Sequence, residues 1–410
     1  MKYDFLIIGS SGMQGRIVTR DLLDSGYKVY CADLYRDGSE DNLSQHPGTP
    51  FGYIDLRDYE GVKKFVRKVT APVVINCAEG DWNIAVYQIC LEEKRHVIDL
   101  GSDIPMTKAQ IAMGKDFKSN DLVAITGCGS TPGINNVMMK YASQFFSEID
   151  TIEVGFAWDS NVKKFVVPFS IESIIEELTE PAPVIEDGKW IEKKPSDTEI
   201  IREFREIGSQ KCYLVRHPET YTFSSDYKNY KPKNIRFYAG FPDHSLEVLK
   251  RFIELGLGDK ELLTFEETEI RPVDAVSRIL TRLKKPEQYM EKENLWVEVS
   301  GKDEGGHIVI TRMECIVSTL PGWTDAGCNI DTGLPASIVA QMILDGRITA
   351  RGSFAPDMAV PTLEFFQELK KRGLTVYKDG ILLNNGQSSA PASANGEARA
   401  REAESAAKGK

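Results

Sequence analysis

The chain has 410 residues, of which 41% are hydrophobic and 27% charged, so it can bury one or two substantial cores. Its 61 acidic and 50 basic side chains give a formal net charge of −11, which disfavours nucleic acid or an anionic membrane as the main partner and favours a small-molecule ligand. No apolar run approaches the roughly 20 residues of a membrane-spanning helix, and we expect a cytoplasmic protein.

The seven cysteines are scattered along the chain, with no CxxC pair and no histidine at ligand spacing. This pattern indicates neither a disulfide framework nor a zinc site, so we predict buried thiols and no bound metal. Cys128, between Gly127 and Gly129, is the one thiol that could face a site. Packing in a core is the favoured interpretation for it as well.

The chain begins with the pattern of a strand, a glycine-rich turn and a helix. Apolar residues 5–8 lead directly into a GxxGxxG turn over residues 9–15, and apolar residues follow on one helical face. Glycines let the main chain turn tightly and approach a pyrophosphate, whose charge binds free N–H groups at the positive end of the helix. The turn therefore predicts a nicotinamide dinucleotide site, and a flavodoxin-like turn that binds nothing is the alternative. The expected cofactor contacts here are Gly9, Ser11, Gly12, Met13 and Gln14.

Asp33 bears on the choice of cofactor. It ends the second apolar run, 21 residues after Gly12, close to the spacing at which an acid meets the adenosine ribose. A carboxylate there accepts hydrogen bonds from a ribose 2′-hydroxyl and repels a 2′-phosphate, which favours NAD. Arg36, three residues further on, could compensate and admit NADP.

Short apolar strands alternate with helical patterns as far as residue 125. This alternation predicts an α/β fold, a doubly wound parallel Rossmann sheet of six strands, for residues 1–130. Ligands of such sheets lie beyond the carboxyl ends of the strands, which is where Asp55, Asn76, Ala78 and Asp99 fall. They are candidate cofactor contacts, and ordinary turn or cap residues are the alternative.

The pattern changes at the glycine-rich segment 127–133. Beyond it we predict an inserted α+β substrate and dimerisation domain over residues 131–325, then helices over 326–383 that return to the Rossmann domain. Residues 384–410 contain almost nothing apolar beyond alanine and are predicted to be a disordered tail. The predicted strands of the inserted domain span 151–158, 182–185, 190–192, 212–216, 235–240, 295–300 and 307–318, and its helices 170–177, 245–255 and 273–283.

Several short motifs follow one another over residues 1 to about 383. They are Gly9-x-x-Gly12-x-x-Gly15, Val97-Ile98-Asp99-Leu100-Gly101, Gly127-x-Gly129-x-x-Pro132-Gly133, Glu177-x-x-x-Pro181 and Thr332-Gly333-x-Pro335 with Phe365-x-x-Glu368-Leu369-x-x-Arg372-Gly373. In this order they resemble the saccharopine dehydrogenase family, including its lysine 6-dehydrogenase branch. The resemblance implies a dinucleotide-binding domain made from both ends of the chain and hydride transfer at a carbon–nitrogen bond of a lysine-derived amino acid.

The resemblance also places Asp99 and the 129–133 region near the nicotinamide, so we expect Asp99 and Gly129 at the cofactor and Thr131 and Pro132 at the substrate. Oxidation of an amine needs a base for the ammonium proton, and His217 is suited by its pKa. Glu219 could hold an ammonium group, and Arg216 offers a fork for a substrate carboxylate. His217, Glu219 and Asp99 are the predicted catalytic residues. A surface imidazole beside a turn-forming proline is the alternative interpretation of His217.

Three functions remain open. The first is an NAD(P)-dependent oxidoreductase, with NAD the favoured cofactor, acting on the CH–NH bond of a lysine-derived amino acid. The second is a polyamine enzyme of the carboxynorspermidine or homospermidine type, and the third is a dinucleotide sensor without catalysis. Sheet edges expected in the inserted domain favour a homodimer.

Overall fold

The fold is described by a computed structural model that covers residues 2–36, 46, 48–167, 170–224, 231–280, 282–283 and 285–383. The predicted tail, 384–410, lies outside the described residues. The described residues form two large sheets and a small two-stranded one.

The first sheet has seven strands, all parallel. Phe5 and Ile7 belong to one apolar cluster and Leu6 and Ile8 to another, so both faces of the sheet are covered, as a parallel sheet requires. The predicted doubly wound α/β sheet is confirmed, with one strand more than predicted. In spatial order the strands are Gly352–Phe354, Val123–Ile125, His96–Asp99, Val73–Asn76, Phe5–Ile8, Val29–Asp33 and Phe51–Tyr53.

Helices between these strands cover the two faces. The helix that follows the glycine-rich turn buries Ile17, Val18 and Leu22 against the sheet, the same apolar face that the sequence predicts. The helix at 59–69 begins at Asp58, whose carboxylate accepts a hydrogen bond from the Gly61 N–H and so caps it. The helices are Met13–Asp24, Tyr59–Val69, Asn83–Glu92, Ile104–Ala112 and Gly114–Ser119, with a 3-10 turn at Gly80–Trp82.

The second sheet is mixed and has ten strands. Its one parallel pairing joins Asn234–Phe241 to Glu148–Ser160, and its other pairings are antiparallel. The main path runs Ile200–Phe204, Gly208–Leu214, Asn234–Phe241, Glu148–Ser160, Glu291–Lys302, Ile308–Ser318, Thr375–Lys378 and Ile381–Leu382. The hairpin Ala182–Glu186 and Lys189–Lys193 branches from Asn234–Phe241, and Leu263–Phe265 with Thr268–Ile270 forms the small sheet.

One helix beside the second sheet, Ile171–Thr179, contributes to a wall of the cavity described below. Ser170 caps its first turn. The sequence pattern predicts this helix, the one at 243–254 and the one at 272–280. The complete set is Ile134–Ala142, Ile171–Thr179, Glu219–Thr222, Asp243–Glu254 and Pro272–Leu280, with 3-10 turns at Ser143–Phe145 and Pro195–Asp197.

The C-terminal part of the chain contributes to both sheets. The helix Ile330–Leu344, called the buried helix below, packs on Met13–Asp24, where Gly333 lies against Ile17. Asp21 ties this contact together, since its carboxylate accepts hydrogen bonds from Ser337 and Arg372. The strands Gly352–Phe354 and Thr375–Lys378 join the first and the second sheet respectively, whereas the sequence predicts only helices here. The remaining elements are Gly327–Asn329, Pro356–Ala359 and Thr362–Lys371.

Candidate functional site

The glycine-rich turn has the shape that a dinucleotide pyrophosphate needs. Gly9 has a φ of +76°, and a β-carbon there would lie 2.5 Å from the amide nitrogen of Ala78. A β-carbon on Gly15 would overlap the carbonyl oxygen of Gly9, whereas Gly12 is exposed and open. The turn therefore leaves the main-chain N–H groups at the start of the helix Met13–Asp24 accessible to an anion. Gln14, whose buried Oε1 accepts no hydrogen bond from a described residue, adds an unused polar group beside it.

Asp33 lies at the rim of this turn, in the place predicted for the ribose. Its Oδ2 accepts a hydrogen bond from the Ser11 N–H at 2.8 Å, and its Oδ1 accepts one from the Leu34 N–H at 2.7 Å. These bonds hold the carboxylate in one orientation at the carboxyl end of its strand. The Arg36 guanidinium lies over the Phe51 ring, 5.4 Å from its centroid, and so stays near the same rim.

Asp55, one strand further out, is paired with a neighbour. Its carboxylate binds the Arg57 guanidinium in a two-pronged arrangement, at 2.6 Å for the Nη2 and Oδ2 atoms. This hydrogen bond lowers the pKa of Asp55 to about 2. Asn76 is buried at the end of its strand, where its side chain donates to Asn83 and accepts from the Ala78 N–H. Ala78 is partly exposed next to Gly9, as a main-chain contact with a cofactor requires.

Asp99 is placed differently from the prediction. It is 0% exposed, and its Oδ2 accepts hydrogen bonds from Tyr87 and Gln110. Its Oδ1 accepts from the N–H groups of Gly101 and Gly127. A carboxylate enclosed by donors reaches neither cofactor nor substrate, so assigning it a catalytic or cofactor-contacting role was wrong. Asp99 is a positioning residue that fixes two turns at the edge of the sheet, and burial raises its pKa despite these bonds.

The turn at 127–133 is held by Asp99 and faces the cavity with two of its side chains. Ser130 and Thr131 line the cavity, in keeping with the expectation for Thr131. Pro132 is buried instead, with its ring packed closely on Gly101 and Gly127. A β-carbon added to either glycine would lie 2.8 or 2.6 Å from the ring, so Pro132 is not a substrate contact. Gly129 is buried and lies close to Thr332 of the buried helix, which helps to hold the turn in place.

A cavity of about 900 Å³ lies between the glycine-rich turn and the second sheet. Its volume is in the range of small-molecule sites. The residues on the side of the first sheet are Met13, Gln14, Ser130, Thr131, Asn329 and Thr332. The opposite wall includes Phe156, Trp158, Glu177, His217, Glu291 and Glu293. The cavity therefore extends from the glycine-rich turn to the second sheet.

His217 is the one predicted catalytic side chain that lines the cavity. Its ring stacks on Phe237 with centroids 3.9 Å apart, and its Nδ1 is hydrogen-bonded to Glu219, which leaves Nε2 for a ligand. Burial lowers the pKa of His217, but the charge and hydrogen bond of Glu219 and the charge of Glu177 outweigh it, so that the pKa is raised. Glu219 is 0% exposed behind the ring and cannot hold a substrate ammonium. Arg216 is exposed and does not line the cavity, so its predicted role was also wrong.

Four carboxyl groups on the cavity wall were missed by the sequence analysis: Glu177, Glu291, Glu293 and Asp331. The Oε2 of Glu177 is buried without a hydrogen-bond donor among the described residues, and burial raises the pKa of Glu177 to about 7 although His217 opposes it. Glu291 accepts from Lys285 Nζ at 2.9 Å and from the Cys328 N–H at 2.8 Å. Only Glu177 stands in a motif quoted above, and nothing in the local sequence distinguishes the other three from surface acids.

Among the described residues, no His, Cys, Asp or Glu side chains form a group of three or more that could hold a metal ion. No helix among the described residues has the length and apolar character needed to cross a membrane. Six of the seven cysteines are buried, including Cys128, and Cys77 is partly exposed.

The parallel sheet and its glycine-rich turn are typical of a dinucleotide-binding protein, and a second, mixed sheet lies across the cavity. A family model described as the saccharopine dehydrogenase NADP binding domain matches residues 5–125. A second, the saccharopine dehydrogenase C-terminal domain, matches residues 129–374. The chain belongs to the saccharopine dehydrogenase family, which confirms the resemblance found in the sequence.

Curated relatives of this chain carry polyamine names. A carboxynorspermidine synthase from Vibrio cholerae is 28% identical over 245 residues, which are 55% of this chain and 57% of that protein. A carboxyaminopropylagmatine dehydrogenase from Synechocystis is 24% identical over 350 residues, which are 82% of this chain and 87% of that protein. The chain thus spans a little over half the length of the first relative and most of the second.

Among solved structures, the apo saccharopine dehydrogenase (L-Glu forming) from Saccharomyces cerevisiae has the same fold. Its TM-score is 0.72 at 13% sequence identity, over 92% of this chain and 99% of that chain. At this identity the likeness extends to the fold and carries no argument about the substrate.

Proposed function

We propose that this protein is an NAD(P)-dependent dehydrogenase acting on a secondary amine that joins a carboxylate-bearing unit to a polyamine. The observation that carries the proposal is the set of four carboxyl groups on the cavity wall. The names of the relatives from Vibrio cholerae and Synechocystis support it, since both describe carboxylated polyamines. The proposal selects the second of the three functions left open by the sequence.

The charges of the cavity wall match a cationic substrate better than one with several carboxylates. Against the four carboxyl groups, the described lining residues offer two lysines and no arginine. Lys285 is bound to Glu291 at 2.9 Å, so Lys164 is the basic lining residue that remains for a substrate carboxylate. A substrate with one carboxylate and several ammonium groups fits this balance, because buried charges need partners of opposite sign.

His217 is the proposed acid–base residue. A bound nicotinamide cofactor supplies or accepts the hydride, and the chain must exchange the proton on the substrate nitrogen. Protonated His217 gives this proton from Nε2 when the carbon–nitrogen double bond is reduced, and neutral His217 accepts it in the reverse direction. Glu219 holds the ring through Nδ1 and stabilises its charged form.

The test is the appearance of reduced nicotinamide when purified protein and NAD or NADP are mixed with each of four compounds. These are carboxynorspermidine, carboxyaminopropylagmatine, saccharopine and L-lysine. We expect turnover with a carboxylated polyamine, and Glu177→Gln should lower its kcat/KM by about tenfold or more, the effect of losing one buried charged contact. Glu172→Gln is the matched control, because Glu172 lies on the same helix but near Arg271, outside the cavity.

The possible results separate the alternatives. Turnover of saccharopine or lysine without turnover of either polyamine would return the function to lysine-derived amino acids. Tight cofactor binding without any turnover would favour the dinucleotide sensor. Equal effects of Glu177→Gln and Glu172→Gln would mean that the carboxyl groups of the cavity do not recognise the substrate.

A further inference from the structure

Asp331 and Glu293 bring two carboxyl groups together at the wall of the cavity. Asp331 lies in the first turn of the buried helix and Glu293 in the strand Glu291–Lys302. Asp331 is 2% exposed, and its Oδ1 accepts a hydrogen bond from Thr332 Oγ1 at 3.2 Å. Its Oδ2 is buried and accepts no hydrogen bond from a donor among the described residues. Asp331 and Glu293 both line the cavity, and the Asp331 carboxyl is among the groups that raise the pKa of Glu293.

The groups around this pair do not neutralise it. Glu291 is the nearest further acid on the same strand, and Lys285 and the Cys328 N–H already bind its two oxygens. The Glu177 charge is also felt by Glu293, and it adds repulsion. The adjoining thiols, Cys315 and Cys328, stay neutral, since burial first and the neighbouring carboxylates second raise the pKa of both. Among the described residues, no ion pair joins a lysine or arginine to Asp331 or Glu293.

Two adjacent buried carboxyl groups cannot both be ionised unless a cation lies between them. Burial, followed by the charge of Asp331, raises the pKa of Glu293 well above its ordinary value. Burial raises the pKa of Asp331 to about 7, against the hydrogen bond with Glu293. In the free protein at neutral pH the pair therefore retains a proton.

We propose that Asp331 and Glu293 form the subsite for a primary ammonium group of the substrate, which takes the place of a proton on this pair of carboxyl groups. This inference rests on the proposed function and names the part of the cavity that recognises the amine. An ammonium group has three N–H donors and can serve Asp331 Oδ2 and the Glu293 carboxyl together.

The exchange has a measurable proton balance. Below pH 7 Asp331 holds a proton, so binding of R–NH₃⁺ to its carboxylate releases H⁺, and the charge of the subsite stays the same. The amine itself remains protonated below about pH 10, the ordinary range of alkyl ammonium groups. Affinity for the amine should therefore increase by up to about tenfold per pH unit as the pH rises toward 7, and then level off because Asp331 loses its proton without ligand.

The experiment is isothermal titration of the full chain with 1,3-diaminopropane at pH 6, in two buffers that differ in ionisation enthalpy. The difference between the two heats gives the number of protons released, and we expect about one per diamine bound, as the exchange of one proton requires. Asp331→Asn should weaken binding by about tenfold or more and abolish the proton release. Asp345→Asn is the matched control, since Asp345 ends the same helix, is exposed, and pairs with Arg347.

A second variant and a second ligand keep the test decisive. Glu293→Gln should reproduce the effect of Asp331→Asn, with unchanged circular dichroism and cofactor titration in both variants. Failure of diamines to bind, binding without proton release, or wild-type affinity in both variants would overturn the subsite. Propylguanidine binding as tightly as propylamine would overturn its assignment to an ammonium group. Absence of turnover with carboxylated polyamines, while diamine binding still releases a proton, would overturn the proposed function and leave the subsite standing.

Discussion

Asp99→Asn tests whether the buried carboxylate at the end of its strand supports the cofactor site or takes part in catalysis. Asp99 accepts hydrogen bonds from Tyr87 at 2.5 Å, Gln110 at 2.6 Å, Gly101 at 2.7 Å and Gly127 at 3.1 Å. We expect the variant to be less stable and to bind cofactor more weakly, while keeping most of its kcat. The reason is that these bonds position the 101 and 127 turns without contact to the ligand.

The size of the effect follows from the donors that an amide cannot serve. An asparagine at 99 can keep its oxygen toward Gly101 and Gly127, but its NH₂ group then meets Tyr87 and Gln110. The Tyr87 hydroxyl can rotate and accept, whereas Gln110 would have to turn its amide and lose the bond that its Oε1 accepts from Thr126. One buried donor is left unpaired, and a charge-assisted bond is lost. The amide is neutral, so the desolvation penalty of a buried carboxylate disappears and offsets part of the loss of these bonds. The variant should have a free energy of unfolding about 3 kcal/mol lower than wild type.

The assay is urea unfolding of the cofactor-free variant, followed by circular dichroism, together with cofactor titration and steady-state kinetics on the folded enzyme. Asp55→Asn serves as the control, because Asp55 also follows a strand of the first sheet but forms an ion pair only with the exposed Arg57. This variant should change the free energy of unfolding by less than about 0.5 kcal/mol. Wild-type stability of Asp99→Asn combined with a large loss of kcat would refute the positioning role and restore Asp99 as a catalytic residue.

Three further outcomes are expected. Asp33→Ser should lower NAD affinity and narrow its ratio to NADP affinity in a binding titration, because it removes the carboxylate held by Ser11; an unchanged ratio would contradict this role. Glu219→Gln should lower the pKa of His217, because the charge of Glu219 raises it. The limb of the pH profile of kcat/KM that reports His217 should therefore shift to lower pH by about one unit. Because the pKa of Asp331 is higher in the folded than in the unfolded state, the folded protein holds this proton up to about pH 7. The wild-type protein therefore loses free energy of unfolding as the pH rises from about 4 to about 7. Asp331→Asn lacks this titration. In urea unfolding without ligand, its free energy of unfolding relative to wild type should rise by on the order of 2 kcal/mol between pH 5 and pH 8, and a difference that does not change with pH would contradict the raised pKa of Asp331.

The cofactor half of the protein could be predicted from the sequence because its information is local. The apolar run 5–8, the glycines of the turn and the helix pattern after them lie within a few residues of one another, and the glycine backbone is needed there on steric grounds. The alternation of short apolar strands with helices fixes a parallel sheet buried on both faces, since the crossovers can only cover it in that way. Asp33 could be assigned to the end of the second strand for the same reason, from its distance along the chain, and its contact with the ribose stays a prediction.

Other features depended on contacts between distant parts of the chain. The strand Gly352–Phe354 forms because Val123–Ile125 offers an unpaired edge, and its three residues have no strand pattern of their own. Asp99 was predicted at the correct edge, but only the fold shows that its side chain turns inward to Tyr87 and Gln110. His217 was predicted from its chemistry and lines the cavity, whereas the sequence could not show that Glu219 is hydrogen-bonded to its Nδ1.

The sequence by itself determined that this chain binds a dinucleotide on a doubly wound sheet, because strand, turn and helix are specified by neighbouring residues. Only the tertiary structure decided which acids face the cavity. Glu177, Glu293 and Asp331 come from a helix, a strand and a second helix that are far apart in sequence. An acid on a solvated face and one on a cavity wall have the same local pattern, and only the fold buries the carboxyl group and so raises its pKa.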